Sequence, residues 1–180
     1  MTDGGADASG GSPVERAQAA VEAAVAELRA GGARDEALAA FVPERRVLGI
    51  RRSPRLVPDG RVWRAGALLL GSDGRLFATG RVVRAERPAR RSVLAASVAE
   101  HRALQAAAVR GGHPEGESVN FDAVPVSYEE LITTGASGPL FLSDGDVLVR
   151  WNASVPDAGT EIGRYLRDRV DLLVHPPQGA

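Results

Sequence analysis

The order of apolar and polar positions divides the chain into a helical opening, an extended middle and a mixed end. Residues 1–11, MTDGGADASGG, show no apolar period and read as a disordered tail. Ser12-Pro13-Val14-Glu15 then combines an N-cap serine, a proline at the first helical position and a glutamate placed to close a capping box. This helix is predicted to stop at Gly31-Gly32, with Val14, Gln18, Val21, Val25 and Leu28 forming one narrow stripe. Residues 12–32 therefore read as a helical arm that docks on the domain or pairs with a second copy, ahead of a single α+β domain over 33–180. A second short helix is expected from Asp35 to about Phe41.

From Val47 the period becomes extended. Leu56-Val57 is predicted to meet Val62-Trp63 across Pro58-Asp59-Gly60, and WRAGALLL and RLFAT flank Gly71-Ser72-Asp73-Gly74, with RVVRA following Gly80. Leu68, Leu69 and Leu70 put apolar side chains on both faces, which places their strand centrally and under cover on each side. A helix is expected over 92–110, closed by Gly111-Gly112, with Val93, Leu94, Val98 and Leu104 on one side and His101 near its middle. PLFL and DVLVRW around Ser143-Asp144-Gly145 form another hairpin. Ile162, Tyr165, Leu166, Val170 and Leu173 line a last helix that Pro176-Pro177 ends. The fold class is α+β, an antiparallel sheet of two meander or hairpin groups packed against two longer helices, plus the N-terminal helix.

Composition removes chemistry more than it adds. The chain of 180 residues has no cysteine, which excludes disulfides, thiolate nucleophiles and cysteine-ligated metals. All 22 basic residues are arginine, so no Schiff-base lysine, phosphate-loop lysine or serine–lysine dyad exists. No run approaches the roughly 18 apolar residues that span a bilayer, and the start has acids and glycines where a secretory signal has basic and apolar residues. A cytoplasmic, soluble protein with no membrane contact is expected.

Charge is uneven. Between Arg45 and Arg91 stand 13 arginines against Asp59, Asp73 and Glu86, and acidic flanks bring the whole chain to −1. Few aromatic residues interleave these arginines, so they read as decoration of the sheet's solvent faces, and nucleic acid is not the expected partner.

Polar candidates are few. His101, His113 and His175 have no metal-binding spacing, and neither metal nor cofactor is expected. His101 reads as a core histidine or, functionally, as a general base. The loop RGGHPEGES offers Arg110, His113, Glu115 and Glu117 as a candidate ligand-binding group. Ser137 stands in G-A-S-G-P ahead of a strand, not in a nucleophile elbow, and reads as a turn residue. Ser127-Tyr128-Glu129-Glu130 reads as a capping box.

Five stretches carry a resemblance: FVPERRVLGI, LLLGSDGRLFATGRVVRA, AVRGGHPEGESVNF, ASGPLFLSDGDVLVRW and RYLRDRVDLLVHPPQGA. Together, over roughly residues 35–180, they resemble short bacterial proteins commonly labelled glutaminase. The resemblance implies hydrolysis of glutamine to glutamate and ammonia. Two functions are therefore carried forward. The favoured one is a non-catalytic binding domain whose partner, a protein or a second copy, engages the N-terminal helix or the arginine-decorated sheet. The alternative is an amide hydrolase with Thr134 or Ser137 as nucleophile and His101 or His113 as base.

Overall fold

The computed structural model describes residues 11–47, 50–87, 96–152 and 158–177. In chain order they form α1 (Pro13–Ala30), β1 (Glu36–Val42), β2 (Arg45–Val47), β3 (Ile50–Arg52), β4 (Arg55–Ala65), β5 (Leu68–Gly71), β6 (Leu76–Ala78) and β7 (Arg81–Arg84). After these come α2 (Ala96–Gly111), β8 (Ser118–Phe121), β9 (Val124–Pro125), α3 (Tyr128–Thr134) and β10 (Ala136–Ser137). The chain ends with β11 (Leu140–Ser143), β12 (Asp146–Val149), β13 (Thr160–Glu161) and α4 (Ile162–Val174). The class is α+β with an N-terminal helix, as expected. The tail, but for Gly11, and the start of the 92–110 helix with Val93 and Leu94 lie outside the described residues. Among the described residues no helix is long and apolar enough to cross a membrane.

Compactness divides the chain into residues 1–32 with 126–180, and residues 33–125. The helix read as an arm thus belongs to a folded unit. In this first unit α1 begins with the predicted box: Glu15 N–H donates to Ser12 Oγ at 3.2 Å and Ser12 N–H to Glu15 Oε2 at 2.6 Å. Its buried stripe, Val14, Ala17, Val21, Ala24, Val25 and Leu28, packs against α4, which buries Ile162, Tyr165, Leu166 and Val170. The four-stranded sheet β10-β11-β12-β13 adds Leu140, Val147 and Val149. Arg16 ties α1 to the β11–β12 turn by donating to Asp146 Oδ1 at 2.8 Å and Gly145 O at 2.7 Å.

The second unit is built on a seven-stranded sheet ordered β7-β8-β1-β4-β5-β6-β9. β1 and β8 run parallel and the other neighbours antiparallel. The meander β4-β5-β6 is as predicted, and Leu68, Leu69 and Leu70 are all fully buried on the strand between β4 and β6. Two expectations about the strands fail. Residues 36–42 are not a helix but β1, because their alanine-rich sequence pairs with β4 along its length and with β8 on the other side, and pairing overrides propensity. Pro58-Asp59-Gly60 does not turn a hairpin either: β4 runs on to Ala65, with the register shifting opposite Leu38 and Ala39 as a bulge absorbs the extra residue.

α2 lies on one face of this sheet. Ala107 and Ala108 pack with Ala37, Ala39, Leu56, Val83, Val119 and Phe121, while Leu38, Val62, Leu69 and Phe77 form a separate cluster. Burial along α2 starts only at Leu104, so Val98 is exposed and His101, expected in the core, faces solvent. The reason is that α2 meets the sheet through its small C-terminal residues, not through the wider apolar side expected.

Candidate functional site

The polar loop after α2 provides the most elaborate cluster in the second unit. His113 is buried, 5% exposed, with its backbone N–H donating to Ala108 O at 3.2 Å. Its Nδ1 stands 3.2 Å from Glu117 Oε2. An ionised carboxylate only accepts, so Nδ1 carries the proton and Nε2 is left buried with no partner among the described residues. Glu117 Oε1 accepts from Arg61 Nη1, and Arg61 Nη2 donates to Asp35 Oδ1 at 2.7 Å. A hydrogen-bonded chain therefore runs Asp35–Arg61–Glu117–His113 from the surface inward, with the Arg61 cation between two carboxylates.

Burial works against an ionised Glu117, but hydrogen bonds from Arg61 and His113 outweigh it and hold the carboxyl below its ordinary range. The hydrogen bond to Asp35 raises Arg61 above its own range despite burial, with Glu117 adding to the effect. A carboxyl depressed in the folded state contributes stability above its unfolded value and loses it on acidification. Glu117→Gln is expected to cost about 1 kcal/mol at pH 7. It should also flatten the loss of stability as pH falls below the ordinary 4.5, measured by urea unfolding across pH.

The other members of the loop go elsewhere. Arg110 Nε donates to Pro54 O at 3.0 Å, and Glu115 Oε1 accepts from Arg87 N at 3.3 Å. Of the four residues singled out, the structure joins His113 and Glu117 and adds Arg61 and Asp35, which the sequence did not flag. Arg61 lies 56 positions from Glu117, so nothing local announces the pair.

A second network was also missed. Asn120, 1% exposed on β8, donates through Nδ2 to Glu36 Oε2 at 2.7 Å and Ala37 O at 3.2 Å, and accepts from Arg64. The available signal was an asparagine between Val119 and Phe121 in a strand, since a polar residue in such a run needs partners from neighbouring strands.

The hydroxyl candidates belong to the first unit, whereas His101 and His113 belong to the second. Ser137, 3% exposed, accepts from Ser127 N at 2.9 Å and donates to Glu130 Oε2 at 2.6 Å. It thereby ties β10 to the start of α3. Only half of the expected box forms: Ser127 Oγ accepts from Glu130 N at 3.2 Å, while the Glu130 carboxylate serves Ser137 instead. Thr134 Oγ1 lies 2.9 Å from Glu130 O and 2.8 Å from Ala136 O, which share its one proton, closing the helix before Gly135 turns the chain at φ 81°. Exposed His175 faces Asp171 Oδ1 at 3.1 Å. Among the described residues no three histidine or carboxylate side chains converge as a metal site requires.

Tyr128, at the start of α3, buries its hydroxyl without a partner among the described residues. Burial, helped by the charge of Glu22, pushes it up to about 12. Tyr128→Phe is expected to stabilise the protein by roughly 1 kcal/mol, because it deletes an unsatisfied polar atom. A raised tyrosine favours the folded state until pH climbs through the ordinary 10 towards 12, so the advantage of the variant should widen in that window in thermal unfolding.

Comparison with protein-family models, with curated proteins and with solved structures finds no match to this chain.

Proposed function

We propose that this chain is a non-catalytic binding module that acts in the cytoplasm. The observation that carries the reading is the use of the hydroxyl candidates by the fold: Ser137 and Thr134 both donate their protons locally, to Glu130 and to backbone carbonyls. A nucleophile needs its oxygen presented to substrate and its proton held by a base. Thr134 has no base among its partners, and the oxygen of Ser137 is buried between Ser127 and Glu130.

The alternative, an amide hydrolase acting on glutamine, retains one favourable feature. The short Ser137–Glu130 bond joins a hydroxyl to a carboxylate able to take its proton. Ammonia release from L-glutamine, followed at high protein concentration, tests both readings. The binding-module reading expects none. Turnover abolished in Ser137→Ala and Glu130→Gln, or in Thr134→Ala, would overturn it and establish a glutaminase that works without lysine or cysteine. His101→Ala and His113→Ala would then report whether either histidine takes part.

A further inference from the structure

The arginines that read from sequence as scattered over a sheet are in part gathered on the β2–β3 ribbon. Its antiparallel register sets Arg45 opposite Arg52 and Arg46 opposite Arg51. All four are exposed. Only one acid answers them: Arg51 Nε donates to Glu44 Oε1 at 2.5 Å, while Arg45, Arg46 and Arg52 have no hydrogen bond or ion pair to another described residue. Arg55 follows at the start of β4, and Arg110 is held at the ribbon's base by its bond to Pro54 O.

Like charges directly opposite one another destabilise a strand pair, and a two-stranded ribbon is marginal to begin with. This ribbon carries two such pairs, so the free protein holds a repulsion that a bound polyanion would relieve. Successive residues of a strand point to opposite faces, so Arg45 and Arg52 share one face and Arg46 and Arg51 the other. A flat acidic protein surface would meet one face alone. Two walls of phosphate would meet both, and the major groove of B-form DNA is wide enough to admit a two-stranded ribbon.

We propose that the β2–β3 ribbon binds duplex DNA, with Arg45, Arg46, Arg51 and Arg52 on the phosphates that border the major groove. This rests on the binding-module reading but replaces the protein or second copy expected from sequence, where nucleic acid was not the expected partner, because the register gathers the arginines on both faces of one ribbon. Phosphate contacts carry no sequence information, so binding is expected to depend on salt more than on sequence.

The test is fluorescence anisotropy of a labelled 20-base-pair mixed-sequence DNA duplex titrated with the full chain. Four phosphate contacts predict a log–log salt slope of about −3.6, or roughly 150-fold weaker binding at 200 mM than at 50 mM salt. Arg46→Gln with Arg51→Gln should halve that slope, and replacing all four arginines should abolish binding. Arg164→Gln with Arg167→Gln, on α4, should leave binding unchanged. Thermal unfolding of each variant separates lost contacts from lost structure.

No binding at 50 mM salt overturns the proposal, as does equal weakening by the α4 pair. Binding that survives in the correctly folded fourfold variant also overturns it. Poly-glutamate or an RNA duplex captured as tightly as DNA would reassign the ribbon to acidic surfaces or to RNA and overturn the DNA assignment. The glutamine assay fails separately, since turnover would overturn the non-catalytic reading whatever the anisotropy shows.

Discussion

Gly111→Ala is expected to destabilise residues 33–125 by about 4 kcal/mol, at the upper end of what one substitution does. Gly111 ends α2 where the helix meets β4, and a methyl group there would lie 1.5 Å from the carbonyl oxygen of Leu56 and 2.5 Å from its carbon. The obstacle is backbone within a paired strand, so no rotamer change removes it. Leu56 is fully buried among Ala107, Ala108 and Val119, and moving α2 outward would open that cluster. The neighbouring Gly112→Ala is the control. It meets nothing within 4 Å but sits at φ 104°, so its cost is backbone strain alone, about 1–2 kcal/mol. The chain has two tryptophans, and a Trp151→Phe background leaves buried Trp63 on β4 to report urea unfolding of this unit. A Gly111→Ala midpoint no lower than that of Gly112→Ala would show that α2 and β4 do not approach so closely.

The two glycines show where sequence reading reaches its limit. Gly111-Gly112 announced a helix end, and the helix ends there, because chain reversal is a local demand that local residues meet. The closeness of Gly111 to Leu56 was not legible, since it depends on a strand 55 positions away. The same division runs through the rest. The Ser12 cap, the turn at Gly71–Gly74 and the Leu68–Leu70 strand were readable because their causes lie within a few residues. Pro58-Asp59-Gly60, by contrast, reads as a turn but is absorbed into β4 by its pairing with β1. The identity of β1 was not, because its partners on either side decide it, and neither was the exposure of His101, which depends on where α2 first touches the sheet. In the candidate site His113 and Glu117 were legible only as members of one polar loop, since no helical spacing pairs residues in a turn. Arg61 and Asp35 join them only through the sheet.

Val21→Glu is expected to cost the first unit about 3–5 kcal/mol, the range for a buried charge without a partner. Val21 is 2% exposed at the middle of the stripe that α1 presents to α4. From sequence, that stripe was a surface for docking in cis, the commoner outcome, or for pairing with a second copy. The structure uses it within the unit, so a charge there removes packing that the single chain needs. Loss of helical circular dichroism at a lower urea midpoint should therefore be independent of protein concentration. Ala19→Glu, on the exposed side of the same helix, should stay within about 0.5 kcal/mol of the parent. The opposite outcome is equally readable: a Val21→Glu protein that keeps its midpoint at high dilution, and loses only a concentration-dependent rise in stability, would mean that the stripe serves a partner copy. In that case α1 would be the arm its sequence suggested, and α4 would need another cover for Ile162, Leu166 and Val170.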